Sequence, residues 1–492
     1  MDVLNLIDGV HAPCARGAWL DSIEPATGAA CARVPDSSGP DVDRAVAAAR
    51  RAFPAWAATP ATERSRLLLK LADLIDANLD RLARAESMDA GKPISAARTI
   101  DIPRSAANLR YFATAILHTA GEMHDFDGGG TPGGLPAINW TLRSPRGVAA
   151  CISPWNLPLY LFTWKIAPAL ATGNTVVAKP SEITPLTACI LGELAVEAGF
   201  PPGVLNIIHG TGAEVGAALV QHPDVPTITF TGSTAVGRWI GQTAGRMLKR
   251  VSLELGGKNP FIIFADADLE GQHGAISTAG RAAFSNQGQI CLCGSRLLVH
   301  ESIYDRVVSG VVEHARTLKI GDPFEASTQF GAITSAVQLA KVESMVNEAC
   351  AAGGRVLTGG RRVDPGRLPE RCRAGFFYEP TVIEGLDPTC RAEREEIFGP
   401  VVTVQRFGTT QDALSLANAT DYGLAASVFT RDLATASHMA RSLQSGIVWV
   451  NCWMVRDLRT PFGGVKESGV GREGGNEALR FFTEPRNICI RQ

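Results

Sequence analysis

The chain has 492 residues, of which 45% are hydrophobic and 20% charged, with a formal net charge of −2. This length exceeds what one compact core usually supports, so we expect two large lobes and a small appendage. The balanced charge and the lack of an apolar run long enough for a bilayer argue against nucleic-acid and membrane partners. The acidic start MDVLNLIDGV is unlike a secretory signal, and 11 scattered cysteines are unlike a disulfide framework, which predicts a cytoplasmic protein.

The first elements along the chain are predicted to be amphipathic helices. Within residues 42–87, VDRAVAAARRAF and RLLLKLADLI carry apolar residues at three-to-four spacing. A glycine- and proline-rich stretch then leads into an extended arm at 137–144. Beyond it, helix-length segments alternate with short apolar runs at 147–152, 174–179, 204–210, 227–230 and 260–264. This alternation is typical of βαβ units and a mostly parallel sheet.

A second alternation predicts a second α/β lobe. It begins after Asn259 and continues through residues 297–300, 354–357, 401–407, 427–430 and 447–451. The last fifteen residues, which include TEPRNICIRQ, also have the pattern of a strand. Because exposed strand edges pair with other chains, the arm and this strand predict a homo-oligomer, either a dimer or a tetramer.

Glycine patterns suggest where a nucleotide could bind. GVGREG at 469–474 and GTGAEVG at 210–216 resemble a dinucleotide fingerprint but lack its strand–loop–helix context, so we interpret the first as a turn between lobes. FTGSTAVG at 230–237 follows the strand TITF and opens a helix, whose N-terminus can receive a pyrophosphate. Lys179 and Glu182 in KPSE would reach the adenine ribose, where a carboxylate favours NAD over a 2′-phosphorylated cofactor.

Five motifs resemble the aldehyde dehydrogenase superfamily, in order and across nearly the whole chain. They are SPWNLP (153–158), LELGGK (253–258), NQGQICLCGSR (286–296), EEIFGP (395–400) and PFGGVKESGVGRE (461–473). The resemblance implies an α/β fold with a Rossmann-type cofactor domain, an α/β catalytic domain and a small β oligomerisation arm. The implied bounds are 1–122 and 147–255 for the NAD-binding domain, 256–446 for the catalytic domain, 123–146 and 478–492 for the arm and C-terminal strand, and 447–477 for a return to the cofactor domain and substrate tunnel.

The resemblance implies that Cys291 is a covalent nucleophile. A thiolate attacks an aldehyde readily, and its adduct can release hydride to leave a thioester. We expect a sharp turn after Gly288 and Gln289 to place Cys291 at a helix start that lowers its pKa. The alternative for a free cysteine is a place in the core. That alternative is preferred for Cys293, which does not match the nucleophile position.

Two further catalytic residues follow from the resemblance. Asn156 would stabilise the oxyanion together with the backbone N–H of the nucleophile, although it could instead cap a turn before Pro158. Glu254 would activate the water that hydrolyses the thioester. Because Leu253 and Leu255 flank it, a solvated position is disfavoured and a perturbed pKa is expected.

The resemblance also implies a set of NAD-binding residues. Glu396 and Phe398 match the residues that hold the nicotinamide ribose and ring, and Trp155 and Ser233 should lie near the pyrophosphate. No HExxH spacing occurs and the CxC pair has no second pair, so no metal is expected. The full cofactor set is Trp155, Lys179, Ser181, Glu182, Gly212, Phe230, Gly232, Ser233, Leu255, Glu396 and Phe398.

Two arginines indicate the substrate class. By motif position, Arg104 and Arg456 line the aldehyde tunnel, where a pair of guanidinium groups would bind carboxylates of an anionic semialdehyde. The alternative is that each pairs with a local acid, Arg456 with Asp457 and Arg104 with Asp101. The implied substrate-binding residues are Arg104, Tyr160, Trp164, Arg456 and Phe462.

Within the superfamily, NCWMVRDLRTPFGG and ICLCGSR are similar to the muconic semialdehyde dehydrogenases of tryptophan and aromatic catabolism. The resemblance implies a 2-aminomuconate or 2-hydroxymuconate 6-semialdehyde substrate, and it leaves the amino and hydroxy forms open. A betaine aldehyde, aliphatic aldehyde or other semialdehyde is the alternative. A non-catalytic structural protein of the same fold is disfavoured, because Cys291, Glu254 and Asn156 are all present.

Overall fold

The computed structural model describes residues 2–130 and 132–491, and its strands form two large sheets and several small ones. The strands are β1 Asn5–Ile7, β2 Val10–Ala12, β3 Trp19–Glu24, β4 Ala29–Pro35, β5 Met123–Phe126, β6 Ala137–Pro145, β7 Val148–Ile152, β8 Thr175–Lys179, β9 Leu205–Ile207, β10 Thr227–Thr231, β11 Arg250–Glu254, β12 Pro260–Ile263, β13 Arg296–His300, β14 Arg355–Thr358, β15 Thr381–Glu384, β16 Val401–Phe407, β17 Tyr422–Gly423, β18 Ala425–Phe429, β19 Ile447–Val450, β20 Val465–Lys466, β21 Gly469–Val470 and β22 Thr483–Arg491.

Helices occupy the segments between these strands, as the alternation predicted. They are α1 Gly39–Ala58, α2 Ala61–Ala77, α3 Leu79–Ala90, α4 Ile94–Ala96, α5 Ile102–Ala115, α6 Pro158–Ala171, α7 Leu186–Ala198, α8 Ala217–Gln221, α9 Thr234–Arg246, α10 Ala275–Phe284, α11 Tyr304–Thr317, α12 Ala336–Ala351, α13 Arg391–Arg394, α14 Thr410–Asn418, α15 Leu433–Ser442 and α16 Gly475–Phe481. Among the described residues, none of these helices has the length and apolar character needed to cross a membrane.

The first large sheet has the order β2-β1-β9-β8-β7-β10-β11-β21. Its central strands, from β9 to β11, run parallel, and β7 and β8 are buried throughout, which is why their sequences are continuous apolar runs. The strand order reverses between β7 and β10. In open parallel sheets, ligands bind beside such a reversal, at the carboxyl ends of the strands.

The second large sheet has the order β14-β15-β16-β13-β12-β18-β19 and is parallel except at the β14 edge. The predicted segment 447–477 is divided between the two large sheets. Its first strand, β19, closes the second sheet, whereas β21 joins the first sheet beside β11. The expected return to the cofactor domain at residue 447 is therefore wrong for β19, and the other domain bounds remain predictions.

The predicted arm and C-terminal strand form a third sheet with the order β22-β6-β5. The antiparallel pairing of β22 with β6 extends from Thr483 opposite Pro145 to Arg491 opposite Ala137. Strand β5, from Met123 to Phe126, pairs with β6 and forms the outer edge. This sheet has exposed apolar side chains on β5, β6 and β22.

The GVGREG segment is an edge strand and its turn, not a phosphate-binding loop. Gly469 lies opposite Glu254 in the pairing of β21 with β11, and its φ is +155°. A Cβ at Gly469 would lie 2.3 Å from the carbonyl oxygen of Leu253. Glycine is needed here because two backbones approach closely, and this explains the pattern without a nucleotide.

Candidate active site

Cys291 lies in the loop between α10 and β13, where the chain turns through left-handed conformations. Asn286 and Gln287 have φ values of 51° and 56°, and Gly288 has a φ of 69°. The Asn259 side-chain amide donates to the carbonyl oxygens of Cys291, at 2.7 Å, and Cys293, at 2.9 Å. These two bonds fix the backbone on both sides of the nucleophile position. Cys293 itself is buried in an apolar cluster, as the core alternative for it predicted.

The expected effect on the Cys291 thiol is wrong. In the described chain, no helix begins at Cys291, which instead lies in a turn. Burial raises the pKa of the Cys291 thiol well above its ordinary value, and the carboxylates of Glu396 and Glu254 raise it further. No local signal predicts this effect, because Glu396 lies more than one hundred residues from Cys291.

Asn156 lies in the loop after β7, at the carboxyl end of the first sheet. Its Nδ2 donates to the carbonyl oxygen of Gln289 at 2.9 Å, so the side chain reaches across to the cysteine loop. The main-chain carbonyl oxygen of Asn156 accepts from Asn286 Nδ2 at 3.0 Å and from Lys92 Nζ at 3.2 Å. Asn156 and Cys291 line one cavity of about 160 Å³. A turn cap before Pro158 does not describe this arrangement, because the amide bonds to another segment.

Glu254 ends β11 and is only 4% exposed. Its Oε1 is buried with no hydrogen-bond partner among the described residues, close to Gly463, where a Cβ would lie 2.7 Å away. Burial raises the pKa of Glu254 well above its usual range, and Glu473 adds to this, while Lys165 and Arg456 oppose it. A perturbed pKa was expected from the flanking leucines, and the direction agrees with a group that takes up protons near neutral pH.

A cavity of about 610 Å³ lies beside the carboxyl ends of β7 and β10 and is lined by Glu182, Gly212 and Phe230, among others. Lys179 Nζ donates to Glu182 Oε2 at 3.1 Å, and the N–H of Gly212 donates to Glu182 Oε1 at 3.3 Å. Burial raises the pKa of Glu182, but Lys179 and the backbone donors outweigh burial, and the net pKa is lowered. Ser181, also predicted to bind the cofactor, is not among the lining residues described for this cavity, and its Oγ accepts from the N–H of Ile183 at 3.3 Å.

The smaller cavity, next to Cys291, brings together the remaining predicted cofactor residues. Glu396 Oε1 accepts from the N–H of Gly257 at 2.9 Å, and a Cβ at Gly256 would lie 2.5 Å from Glu396 Oε2. The close approach explains why LELGGK requires glycine there. The predicted residues on its wall, besides Cys291 and Asn156, are Trp155, Gly232, Ser233, Leu255, Glu396 and Phe398.

Two walls of this cavity have specific backbone support. Ser233 Oγ caps α9 by accepting from the N–H of Val236, which leaves other N–H groups of that helix end free to face a ligand. Phe398 has a φ of 56°, and its ring meets the ring of Trp155 edge-on at 5.2 Å. Gln338 of α12 holds this strained turn, since its Nε2 donates to the carbonyl oxygen of Phe398 at 2.8 Å.

Sequence reasoning missed Gln338 and Lys341, which also line the small cavity. Both lie on α12, which has none of the five recognised motifs. A helical segment with ordinary polar residues has no local signal for a ligand. Only the packing of α12 against the loop of Phe398 reveals their position.

Arg456 is held between two aromatic rings in the loop after β19. Its guanidinium lies 4.4 Å from the centre of the Trp164 ring and 3.9 Å from that of Phe462. One nitrogen, Nη1, donates to Tyr160 Oη at 2.9 Å. The other, Nη2, is buried with no partner in the described structure. The aromatic contacts therefore fix the plane of the guanidinium while one of its nitrogens stays available.

Arg104 approaches the same tyrosine from α5. Its guanidinium lies 5.6 Å from the ring centre of Tyr160, and its Nε and Nη2 are buried without partners among the described residues. Burial lowers the pKa of Arg104, and the nearby Arg456 cation also lowers it. The five predicted substrate residues thus form one group, in which two cations lie close together.

The local acids that could have neutralised these arginines are engaged elsewhere. Asp457 pairs with Arg459 at 2.5 Å, and Asp101 pairs with Lys92 at 2.7 Å. The alternative of local ion pairs is therefore not what the structure contains. In the described residues, no group of three or more histidine, cysteine or acidic side chains could hold a metal ion.

Comparisons with known proteins agree with this geometry. The model of the aldehyde dehydrogenase family matches residues 13–488. The 2-aminomuconic semialdehyde dehydrogenase of Danio rerio is 50% identical over 487 residues, covering 99% of this chain and 98% of the relative. The 2-hydroxymuconic semialdehyde dehydrogenase of Pseudomonas sp. (strain CF600) is 44% identical over 492 residues, covering 100% and 99%.

The solved structure of PnpE from Pseudomonas sp. WBC-3 has a TM-score of 0.95 and 43% identity, and covers 100% of this chain and 98% of its own. The same protein has been solved with nicotinamide adenine dinucleotide. The fold and the site define a two-sheet α/β protein in which a cysteine faces a dinucleotide-type cleft. The chain belongs to the aldehyde dehydrogenase family. The predicted fold class and family are confirmed.

Proposed function

We propose that the protein oxidises an aldehyde to a carboxylic acid with NAD, using Cys291, Asn156 and Glu254. The observation that carries this proposal is the meeting of Cys291 and Asn156 in one small cavity beside the reversal of a parallel sheet. Glu254 supports it from the end of the adjacent strand, since its carboxylate acts on the Cys291 thiol electrostatically. Family membership favours the same chemistry.

The Cys291 thiol loses its proton to solvent, and the resulting thiolate attacks the carbonyl carbon of the aldehyde to form a thiohemiacetal. The resulting oxyanion accepts a hydrogen bond from the Asn156 amide, whose second N–H is free while the first donates to Gln289. Bound NAD supplies the two-electron oxidant that takes the hydride, which leaves a thioester on Cys291. A water then attacks the thioester, Glu254 accepts its proton, and the thiolate leaves. Aldehyde, NAD⁺ and water thus give acid, NADH and a proton.

The residues of the two cavities fit NAD. Glu182 is oriented by Lys179 and Gly212, and its lowered pKa keeps it ionised to accept ribose hydroxyls. The same carboxylate would repel a 2′-phosphate, which favours NAD over NADP. The α9 N-terminus at Ser233 offers N–H groups to a pyrophosphate, and Glu396 offers a carboxylate for the second ribose.

We propose a substrate that carries a carboxylate beside its aldehyde chain, namely 2-aminomuconate or 2-hydroxymuconate 6-semialdehyde. Two half-buried guanidinium groups support this, because each has buried N–H donors without a partner among the described residues, and such donors are costly unless a ligand accepts from them. Relatives named for both substrates share 44–50% identity with this chain over nearly their full lengths. Betaine aldehyde fits poorly, since Arg104 and Arg456 would repel its cation.

The arginine variants test this substrate class. Arg456→Gln and Arg104→Gln should each reduce kcat/KM for 2-hydroxymuconate semialdehyde by an amount equivalent to about 1–3 kcal/mol of transition-state stabilisation. The measurement is the initial rate of NADH formation. Arg459→Gln is the matched control, because Arg459 is an exposed neighbour already paired with Asp457. Betaine aldehyde serves as the cationic comparison, and a short aliphatic aldehyde serves as the neutral one. Equal effects on every aldehyde, or none at Arg104 and Arg456, would contradict the carboxylate site.

We also propose that the third sheet joins subunits of a homo-oligomer and that residues 123–146 and 478–492 form this unit. Met123 and Phe126 on its outer strand, Leu142 on β6 and Ile490 on β22 are large exposed apolar side chains. Exposed strand edges with such residues favour pairing with another chain. Sedimentation velocity tests this proposal, because Phe126→Glu should sediment as a smaller species than the wild type. Equal sedimentation of both proteins would contradict a subunit contact at Phe126.

A further inference from the structure

A buried ionic cluster lies behind the active site, and the mechanism above does not use it. Lys92 follows α3 and is only 1% exposed, and both of its acidic neighbours, Glu86 and Asp101, are also buried. Lys92 Nζ lies 2.7 Å from Asp101 Oδ2 and 3.5 Å from Glu86 Oε1. Its third contact, at 3.2 Å, is the carbonyl oxygen of Asn156. An ammonium group has three donors, so this contact completes the set.

Glu86 and Asp101 each lie next to the start of a different helix that carries predicted substrate residues. Glu86 Oε2 accepts from the N–H of Leu159 at 3.3 Å, in the first turn of α6, the helix that carries Tyr160 and Trp164. Asp101 closes a single π-helical turn, Ala97–Asp101, immediately before α5. Such turns occur frequently at functional sites.

The cluster thus joins separate parts of the site. Three residues after Asp101, α5 carries Arg104. The ammonium therefore links the segment of the oxyanion amide with the starts of two helices that carry substrate residues. A buried charge group with several partners has one low-energy arrangement, because any displacement leaves a charge unpaired.

We infer that Lys92 is a positioning residue, which acts through the carbonyl oxygen of Asn156 to aim the Asn156 amide at the oxyanion of the Cys291 adduct. Glu86 and Asp101 hold Lys92 in place. They thereby connect the orientation of the Asn156 amide to the helices that carry Tyr160 and Arg104. The inference rests on the proposed function, since it assigns Asn156 to the oxyanion. A shift of about 1 Å in such a donor is enough to slow a reaction substantially.

A double-mutant cycle between Lys92 and Asn156 tests the inference. The measured quantity is the single-turnover rate of NADH formation from a short aliphatic aldehyde, which does not use the arginines. Lys92→Met should lower this rate by about 10- to 100-fold in the wild-type background, because losing one oxyanion donor completely costs about 10²–10³-fold. In the Asn156→Ala background the same change should cost less than about threefold, since no amide is left to aim.

Asp89→Asn is the matched control. Asp89 is a second fully buried carboxylate of α3, and it accepts from the N–H of Leu186, the first residue of α7. Helix α7 carries none of the proposed site residues, so the single-turnover rate should stay within about twofold of the wild type. Should Lys92→Met fail to fold, Asp101→Asn, which removes one anchor of the ammonium without changing its size, carries the same cycle.

Equal fold-losses for the Lys92 or Asp101 change in both backgrounds would overturn the positioning role. So would a loss accompanied by weaker NAD binding, measured by tryptophan fluorescence, because it would indicate general damage. The wild-type control separates this failure from failure of the proposed function. A wild type that forms no NADH from any aldehyde refutes the function itself, whereas an active wild type with an additive cycle refutes only the role of Lys92.

Discussion

The two ends of the active site are fixed in different ways. Around Cys291, side-chain amides fix the backbone. Asn259 donates to the main-chain carbonyl oxygens of Cys291 and Cys293, and Asn156 donates to that of Gln289. At the arginine end, side chains hold one another, and Arg456 rests between Trp164 and Phe462. The reacting groups are thus constrained by the chain itself, whereas the groups that select the substrate keep donors available. The Lys92 cluster is the link between the two ends, because it contacts Asn156 and the starts of the helices that carry Tyr160 and Arg104.

Removal of the nucleophile should give the largest effect. Cys291→Ala should lower kcat for aldehyde oxidation by at least about 10³-fold with every aldehyde, because no thioester can form. The measurement is steady-state NADH formation, with NAD binding as the control for an intact cofactor site. Comparable turnover by this variant would place the nucleophile elsewhere, and the buried Cys293 would be the next residue to change.

Removal of the base should stop the second half of the reaction only. Glu254→Gln should still release about one NADH per site in a burst and then turn over about 10²–10⁴-fold more slowly, since hydrolysis of the thioester loses its base. Stopped-flow fluorescence separates the burst from the slow phase. A variant that loses the burst instead would assign Glu254 to activation of the thiol.

The pH dependence of this step also follows from Glu254. Burial raises its pKa, so the carboxyl is protonated at pH values where an exposed glutamate is ionised. Hydrolysis of the thioester should therefore rise with pH as Glu254 loses its proton, and the profile should become flat in Glu254→Gln. A wild-type hydrolysis rate that is independent of pH above 5 would contradict the raised pKa.

At the arginine end, substitution of Tyr160, which contacts both arginines, should have a smaller effect. Tyr160→Phe removes the acceptor of Arg456 Nη1 and should reduce kcat/KM for a carboxylate-bearing semialdehyde by about 1 kcal/mol, roughly fivefold. The effect on a short aliphatic aldehyde should be smaller still. An equal loss with both aldehydes would show that Tyr160 shapes the tunnel and does not orient the cation.

The smallest change concerns the free thiol. Because burial and two carboxylates raise the pKa of Cys291, its alkylation by iodoacetamide should be slow at neutral pH and rise continuously above pH 9. The measurement is the inactivation rate against pH in the absence of NAD. A plateau near pH 7 would indicate an activated thiolate, as the discarded helix-start hypothesis required.

Sequence patterns were most informative where the signal is local. The apolar runs of β7 and β10 predicted buried parallel strands, and the residues that follow them, such as Trp155 and Ser233, do line one cavity. A run of apolar residues and the turn after it lie in one stretch of chain, so their spacing carries the information. The fold class and the grouping of most site residues could therefore be predicted.

The rest depended on packing between distant segments. Burial and the distant carboxylate of Glu396 raise the pKa of Cys291, and Gln338 supports a turn sixty residues away, so neither effect has a local sequence signal. The same is true of Lys92, whose contact with Asn156 joins residues 64 positions apart. The alternation correctly grouped β19 with the second lobe, whereas the bounds implied by the resemblance began the return to the cofactor domain at residue 447.

The loop that carries Arg456 belongs to neither large sheet. It follows the last strand of the second sheet, and Val455 and Asp457 on either side of Arg456 are exposed. This loop also contacts the nucleophile segment, since Trp453 Nε1 donates to the carbonyl oxygen of Leu292 at 2.9 Å. A change of substrate range at Arg456 is therefore limited to variants that keep Trp453 in place, because the segment that selects the substrate also supports the backbone beside the nucleophile.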